Sequence, residues 1–157
     1  MKETNYWKRQ YEKFIKDRLC SRRNGYLGQA QLIDDEIEAL LDLQDKILGE
    51  KQDLALLYLL INDAFNQEDP IGLYPWSKNE YGHYVLQLVE LYERTDEVGF
   101  RWQLARYIDE FWYNMFSNWP SKKALCRLER AIMDAVSQFE KLKKLRTKAL
   151  GKAGKER

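Results

Sequence analysis

Residues 54–61 read LALLYLLI, eight apolar residues without a break. That is far short of the roughly twenty needed to span a bilayer. With helical periodicity on both sides, the run predicts a helix over about 51–66 that is apolar almost all round. A helix without a solvent face has to be covered by other elements. The rest of the chain must therefore supply neighbours on every side of it.

Those neighbours read as helices, since no run alternates with the two-residue period of a strand. A first helix over about 4–21 carries Trp7, Tyr11, Phe14, Ile15 and Leu19 on one stripe, and the turn signal NGYLG ends it. A second, about 29–48, uses Leu32, Ile33, Ile37, Leu40, Ile47 and Leu48, with Gly49 free to adopt the left-handed terminus. Ser77 and Glu80 have the spacing of a capping box and open a fourth helix over about 78–93. Thr95 or Asp96 can cap a fifth over about 97–117. The Trp119-Pro120 break then leads into a sixth, about 120–148.

The expected fold is all-α, a single-domain bundle of about six helices over residues 1–149. Residues 67–76 form the evident linker. A division into halves 1–66 and 77–149 is the alternative, though each half is small for an independent core. Residues 150–157 read as a frayed basic tail. The first residues, MKETNYWKRQ, hold charges where a secretory signal needs apolar residues, so a cytoplasmic protein is expected. Cys20 and Cys126 are too few for a disulfide framework or a zinc site and read as reduced structural thiols.

The net charge of +1 conceals a strong segregation. Residues 1–24 carry 8 Lys/Arg against 3 Asp/Glu, and residues 120–157 carry 12 against 4. The intervening 25–119 carry 6 against 18, so the three segments hold +5, −12 and +8 in chain order. Such an arrangement bears on partners rather than on fold.

On the second helix, Asp35, Glu38, Asp42 and Asp45 recur at spacings of 3, 4 and 3, opposite the apolar stripe. They could hold a hard cation, dock a basic partner or simply face water. Arg9, Lys13 and Lys16 on the first helix lie opposite its apolar side. Arg130, Lys141, Lys144 and Lys148 do the same on the sixth. If those two helices are neighbours, their basic faces merge into a patch suited to a phosphate backbone. No zinc finger or other base-reading motif accompanies them.

Glu80-Tyr-Gly-His83 has the Glu-x-x-His spacing of carboxylate-bridged metal bundles. His83 is the single histidine, however, so the second such pair is missing, and Glu80 already has a capping role. No catalytic set, metal site or cofactor motif is complete. The aromatic-rich FRWQLARYIDEFWYNMFSNW (100–119) divides into two groups. Phe100, Leu104, Tyr107, Ile108, Phe111 and Met115 make a core stripe, widened by Ala105, Trp112 and Phe116. Trp102, Arg106, Asp109 and Tyr113 fall on the opposite side at spacings of 4, 3 and 4, the composition of an interface hot spot.

The expected function is that of a non-enzymatic interaction protein, a small subunit or inhibitor of a larger complex. It would bind a protein partner through its charged faces and the aromatic face. The alternative is a subunit that contacts RNA or DNA backbone through the basic terminal helices, with a metal-binding bundle third. Opposed acidic and basic faces would also permit self-association of copies head to tail.

Overall fold

The helix around which everything packs is the one that LALLYLLI announces. In a computed structural model, which describes residues 2–25, 28, 30–47, 52–70, 81–112 and 121–155, it runs Gln52–Glu68 and is the third of six long helices among the described residues. α1 (2–25) comprises Lys2–Phe14, a π-helical turn Ile15–Leu19 and Cys20–Gly25. α2 is Ala30–Ile47, α3 is Gln52–Glu68 and α4 is Gly82–Arg94. α5 (97–112) comprises Glu97–Arg106 and a second π turn, Tyr107–Trp112. α6 is Lys122–Lys155 and continues beyond the end expected near 148. No strand occurs among the described residues. The proposed Ser77–Glu80 capping box and residues 71–76 of the linker lie outside the described residues.

Every α3 residue from Ala55 to Phe65 is buried, as the apolar circumference requires. α1, α2, α4 and α6 surround it, with α6 making the longest contact. One apolar cluster takes side chains from all six helices, so residues on both sides of 67–76 contribute to it. Its aromatic centre is Phe139 of α6. Trp7 of α1 lies 5.7 Å away and Tyr92 of α4 lies 5.8 Å away, between ring centroids. Phe100 of α5 then meets Tyr92 edge-on at 5.7 Å, a favoured geometry for aromatic pairs. The high aromatic content thus ties four helices together.

Two polar residues, Asn62 and Asp63, are buried within α3. Arg18 Nη1 donates to Asp63 Oδ2 at 2.9 Å, and Arg22 Nη2 donates to Oδ1. The π turn of α1 makes this possible. Its buried residues Trp7, Tyr11, Ile15 and Leu19 recur every four positions. On an unbroken α-helix of 3.6 residues per turn, such a stripe drifts by about 40° per step. The wide turn, closed by Cys20 N–H donating to Ile15 O, takes up that drift and keeps Leu19 inside. It also delivers Arg18 and Arg22, on either side of Leu19, to the same carboxylate.

Side chains finish the helix ends. Asp69 follows α3 with φ 44°, in the left-handed region that Asp tolerates better than most residues. Its Oδ1 accepts from Tyr81 Oη at 2.7 Å, linking the end of α3 to the start of α4. Of the two cap candidates for α5, Asp96 is the one used: its Oδ1 accepts from Gly99 N–H at 2.6 Å. A Cβ on Gly99 would lie 3.0 Å from that same oxygen, so the cap leaves little room for any other residue. Ser121 Oγ accepts from Ala124 N–H at 3.1 Å and caps α6.

The Asp63 cluster yields a graded prediction. Asp63→Ala removes the carboxylate that the mostly buried Arg22, 13% exposed, engages, and should lower stability by about 3–5 kcal/mol in urea denaturation. Arg18→Ala removes a side chain 48% exposed and should cost less than about 1 kcal/mol. Equal losses for the two variants would show that Asp63 does not organise this corner.

Candidate functional site

α5 buries Phe100, Leu104 and Ile108, as its apolar stripe predicts, and half-buries Tyr107, whose hydroxyl donates to Gln87 Oε1 at 3.3 Å. The side chains of Phe111, Trp112, Met115 and Phe116 lie outside the described residues. On the outward side, Trp102 is 72% exposed and Val98, one turn earlier, is 66% exposed. Trp102 is the most exposed large apolar side chain among the described residues. Arg106 continues the same face at the next turn and is exposed.

Beyond Arg106 the helix enters a π turn. Arg106 Nε approaches Glu110 Oε1 at 3.6 Å, so its carboxylate partner is Glu110 and not Asp109. Asp109 is exposed but sits near Glu129 of α6. The cause is the π turn Tyr107–Trp112, which spends an extra residue and changes the phase of all that follows. Tyr113 lies outside the described residues. Of the expected quartet, Trp102, Arg106 and Asp109 are described and exposed, and Val98 adds apolar surface beside Trp102.

The acidic face of α2 is partly committed to internal contacts. Gln31 Nε2 donates to Asp35 Oδ1 at 3.1 Å, while Glu38 and Asp42 are exposed. The side chain of Asp45 lies outside the described residues. Neighbouring Asp34 pairs with Arg23 at 2.7 Å, and Glu36 accepts from Asn66 at 2.8 Å. Among the described residues no group of three His, Cys, Asp or Glu side chains is placed to hold a metal ion. His83 is exposed, with Gln87 at 3.4 Å and the Tyr84 ring beside it. Cys20 and Cys126 are also exposed, not packed in the core.

The terminal helices are neighbours. Tyr6 Oη donates to Leu142 O at 2.7 Å, Trp7 stacks near Phe139, and the Arg146 guanidinium lies 6.0 Å from the Trp7 ring centroid. Burial raises the Tyr6 phenol above its ordinary value, and Arg146 opposes that rise. Arg9, Lys13 and Lys16 on α1 are exposed, as are Arg130, Lys141, Lys144 and Lys148 on α6. Helical phase places Lys123, Arg127, Arg130, Lys141 and Lys148 along one stripe of α6, about 38 Å long at 1.5 Å per residue.

Between the two helices runs a trough floored by α3. It consists of two adjoining pockets, of about 340 and 260 Å3, that share Phe14, Arg18, Leu60 and Gln138. Lys13 lines one of them, and Arg127 and Arg130 line the other. Periodicity identifies the α6 stripe in the sequence. The role of Arg18 was not visible there, because it depends on the π turn and on which helix lies opposite. No helix among the described residues is long and apolar enough to cross a membrane.

Burial, and then the neighbouring Asp109 carboxylate, raise the Glu129 carboxyl above its ordinary value. The folded chain therefore binds this proton more tightly than the unfolded chain does. The resulting stability is complete below the ordinary Glu value, about pH 4, and is lost as pH rises through the raised one. Glu129→Gln should be more stable than the wild type at neutral pH, by less than about 1 kcal/mol for so solvent-screened a site. The two should converge below about pH 4, and a gap constant across pH would contradict the assignment. No protein-family model matches this chain, and no curated protein or solved structure shows significant similarity to it.

Proposed function

We propose that the protein is a non-enzymatic, cytoplasmic interaction subunit that docks a protein partner on the outer face of α5. The exposure of Trp102 carries this reading. A tryptophan 72% exposed beside Val98 at 66% leaves apolar surface in water that partner binding would remove. Trp and Arg are also the residue types most enriched where single side chains dominate binding energy, and Arg106 stands one turn from Trp102. Glu110 holds that guanidinium on the same face.

A second reading is favoured by the adjacency of α1 and α6. Their exposed cations lie along neighbouring helices and could follow a nucleic-acid backbone, with affinity set by phosphate contacts and not by base identity.

Affinity purification from the native host tests the first reading. Trp102→Ala should leave stability within about 0.5 kcal/mol, since the side chain is exposed. It should weaken partner retention by about 30-fold, the equivalent of a 2 kcal/mol hot spot. Undiminished retention, or a variant that unfolds, would sink the reading. For the second, binding of a labelled oligonucleotide should fall steeply with salt. The triple variant Lys141→Glu, Lys144→Glu, Lys148→Glu should flatten that dependence by roughly two to three units of log–log slope. Absence of binding at low salt would dispose of it.

A further inference from the structure

The trough between α1 and α6 differs from the lysine faces outside it. Asp63 lies at its floor with a side chain 6% exposed, and each carboxylate oxygen is engaged by a different arginine. Arg22 is nearly buried and engages Asp63 from the side away from the open volume's lining. Arg18 is half exposed and lines both pockets. A guanidinium carries five N–H donors, and the contact with Asp63 engages Arg18 through Nη1. Its guanidinium also lies 5.3 Å from the centroid of the Phe14 ring, which lines both pockets as well.

The facing wall belongs to α6. Arg127 and Arg130, one turn apart, line the same pocket and make no ion pair or hydrogen bond among the described residues. Glu68 and Asp134 share that lining. Three guanidiniums and three carboxylates line this pocket, and Arg22, which also contacts Asp63, tips the local balance by one positive charge. A pocket of about 340 Å3 lies within the range of small-ligand sites. It continues past Gln138 into the second pocket, which Lys13 and Asp17 line together.

We propose that this trough is a phosphate-binding site in which Arg18, Arg127 and Arg130 seat a phosphate group, with Lys13 and Gln138 meeting its continuation. Guanidiniums bind phosphate through paired N–H donors, with a geometry that ammonium groups do not match. The phosphate can belong to a nucleic-acid strand, in which case the site deepens the second reading above. It can equally belong to a free polyphosphate, in which case the site stands apart from that reading. The α5 face has no part in either case.

Two probes separate the sources: inorganic triphosphate, followed by calorimetry, and a short labelled oligothymidylate, followed by anisotropy, both at low salt. The proteins are the wild type, the double variant Arg127→Glu with Arg130→Glu, and the double variant Lys144→Glu with Lys148→Glu. All four positions are exposed, and retained helical circular dichroism confirms that each variant folds. The arginine variant should lose at least about tenfold in affinity for whichever probe binds, whereas the lysine variant should lose less than about threefold for triphosphate, whatever it does to the strand. Saturable triphosphate binding that competes with the strand identifies free polyphosphate as a ligand. Strand binding alone, lost in the arginine variant, identifies nucleic acid. If neither probe binds, the site does not exist. If the strand binds equally to the arginine variant but is lost in the lysine variant, the trough is overturned and the outer-face reading survives.

Discussion

A single carboxylate in the wrong place organises much of this molecule. Asp63 sits beside Asn62 in the otherwise apolar buried stretch of α3, and a lone buried charge there would be prohibitively unfavourable. Two arginines from α1 answer it. To reach it they need a change of helical phase that the α1 core stripe also needs. The Asp63 cluster fixes how α1 lies against α3, and α1 in turn determines where the trough opens and which face of α6 borders it.

The fold was legible because the decisive signal was one of hydrophobic periodicity. LALLYLLI demanded a covered helix, and the stripes of Trp7, Tyr11, Ile33, Leu40, Val136 and Phe139 belong to helices that cover it. The Asp96 cap followed from local chemistry, which needs no knowledge of neighbours. The two π turns did not follow. A one-residue widening leaves the amino-acid pattern almost unchanged, and its cause is tertiary: a carboxylate on α3 for α1, and the approach to α6 for α5.

The candidate sites show the same division. Trp102 and Arg106 share an exposed face, as spacing on an ideal helix implies. Asp109 is exposed too, but it lies within a π turn and close enough to Glu129 of α6 to influence it, which ideal spacing does not indicate. The proximity of α1 and α6 was a condition the sequence could only state, since nothing in either helix names its neighbour. Arg18 and Arg127 gained interest only once the trough between the helices was visible. Segregated charge along the chain indicated that cations would gather, without indicating that three guanidiniums would face one cavity.

The π turn in α1 has a further consequence for what changes the chain can accept. It makes α1 two helical rods set at different phases, one indexed by the aromatic core and the other by Asp63. Removing one residue between Ile15 and Leu19 would restore an uninterrupted α-helix but leave those two indices in conflict. Either Trp7 and Tyr11 would keep their seats or Arg18 and Arg22 would keep theirs. The local length of the chain, and not only its composition, is therefore part of what specifies this fold.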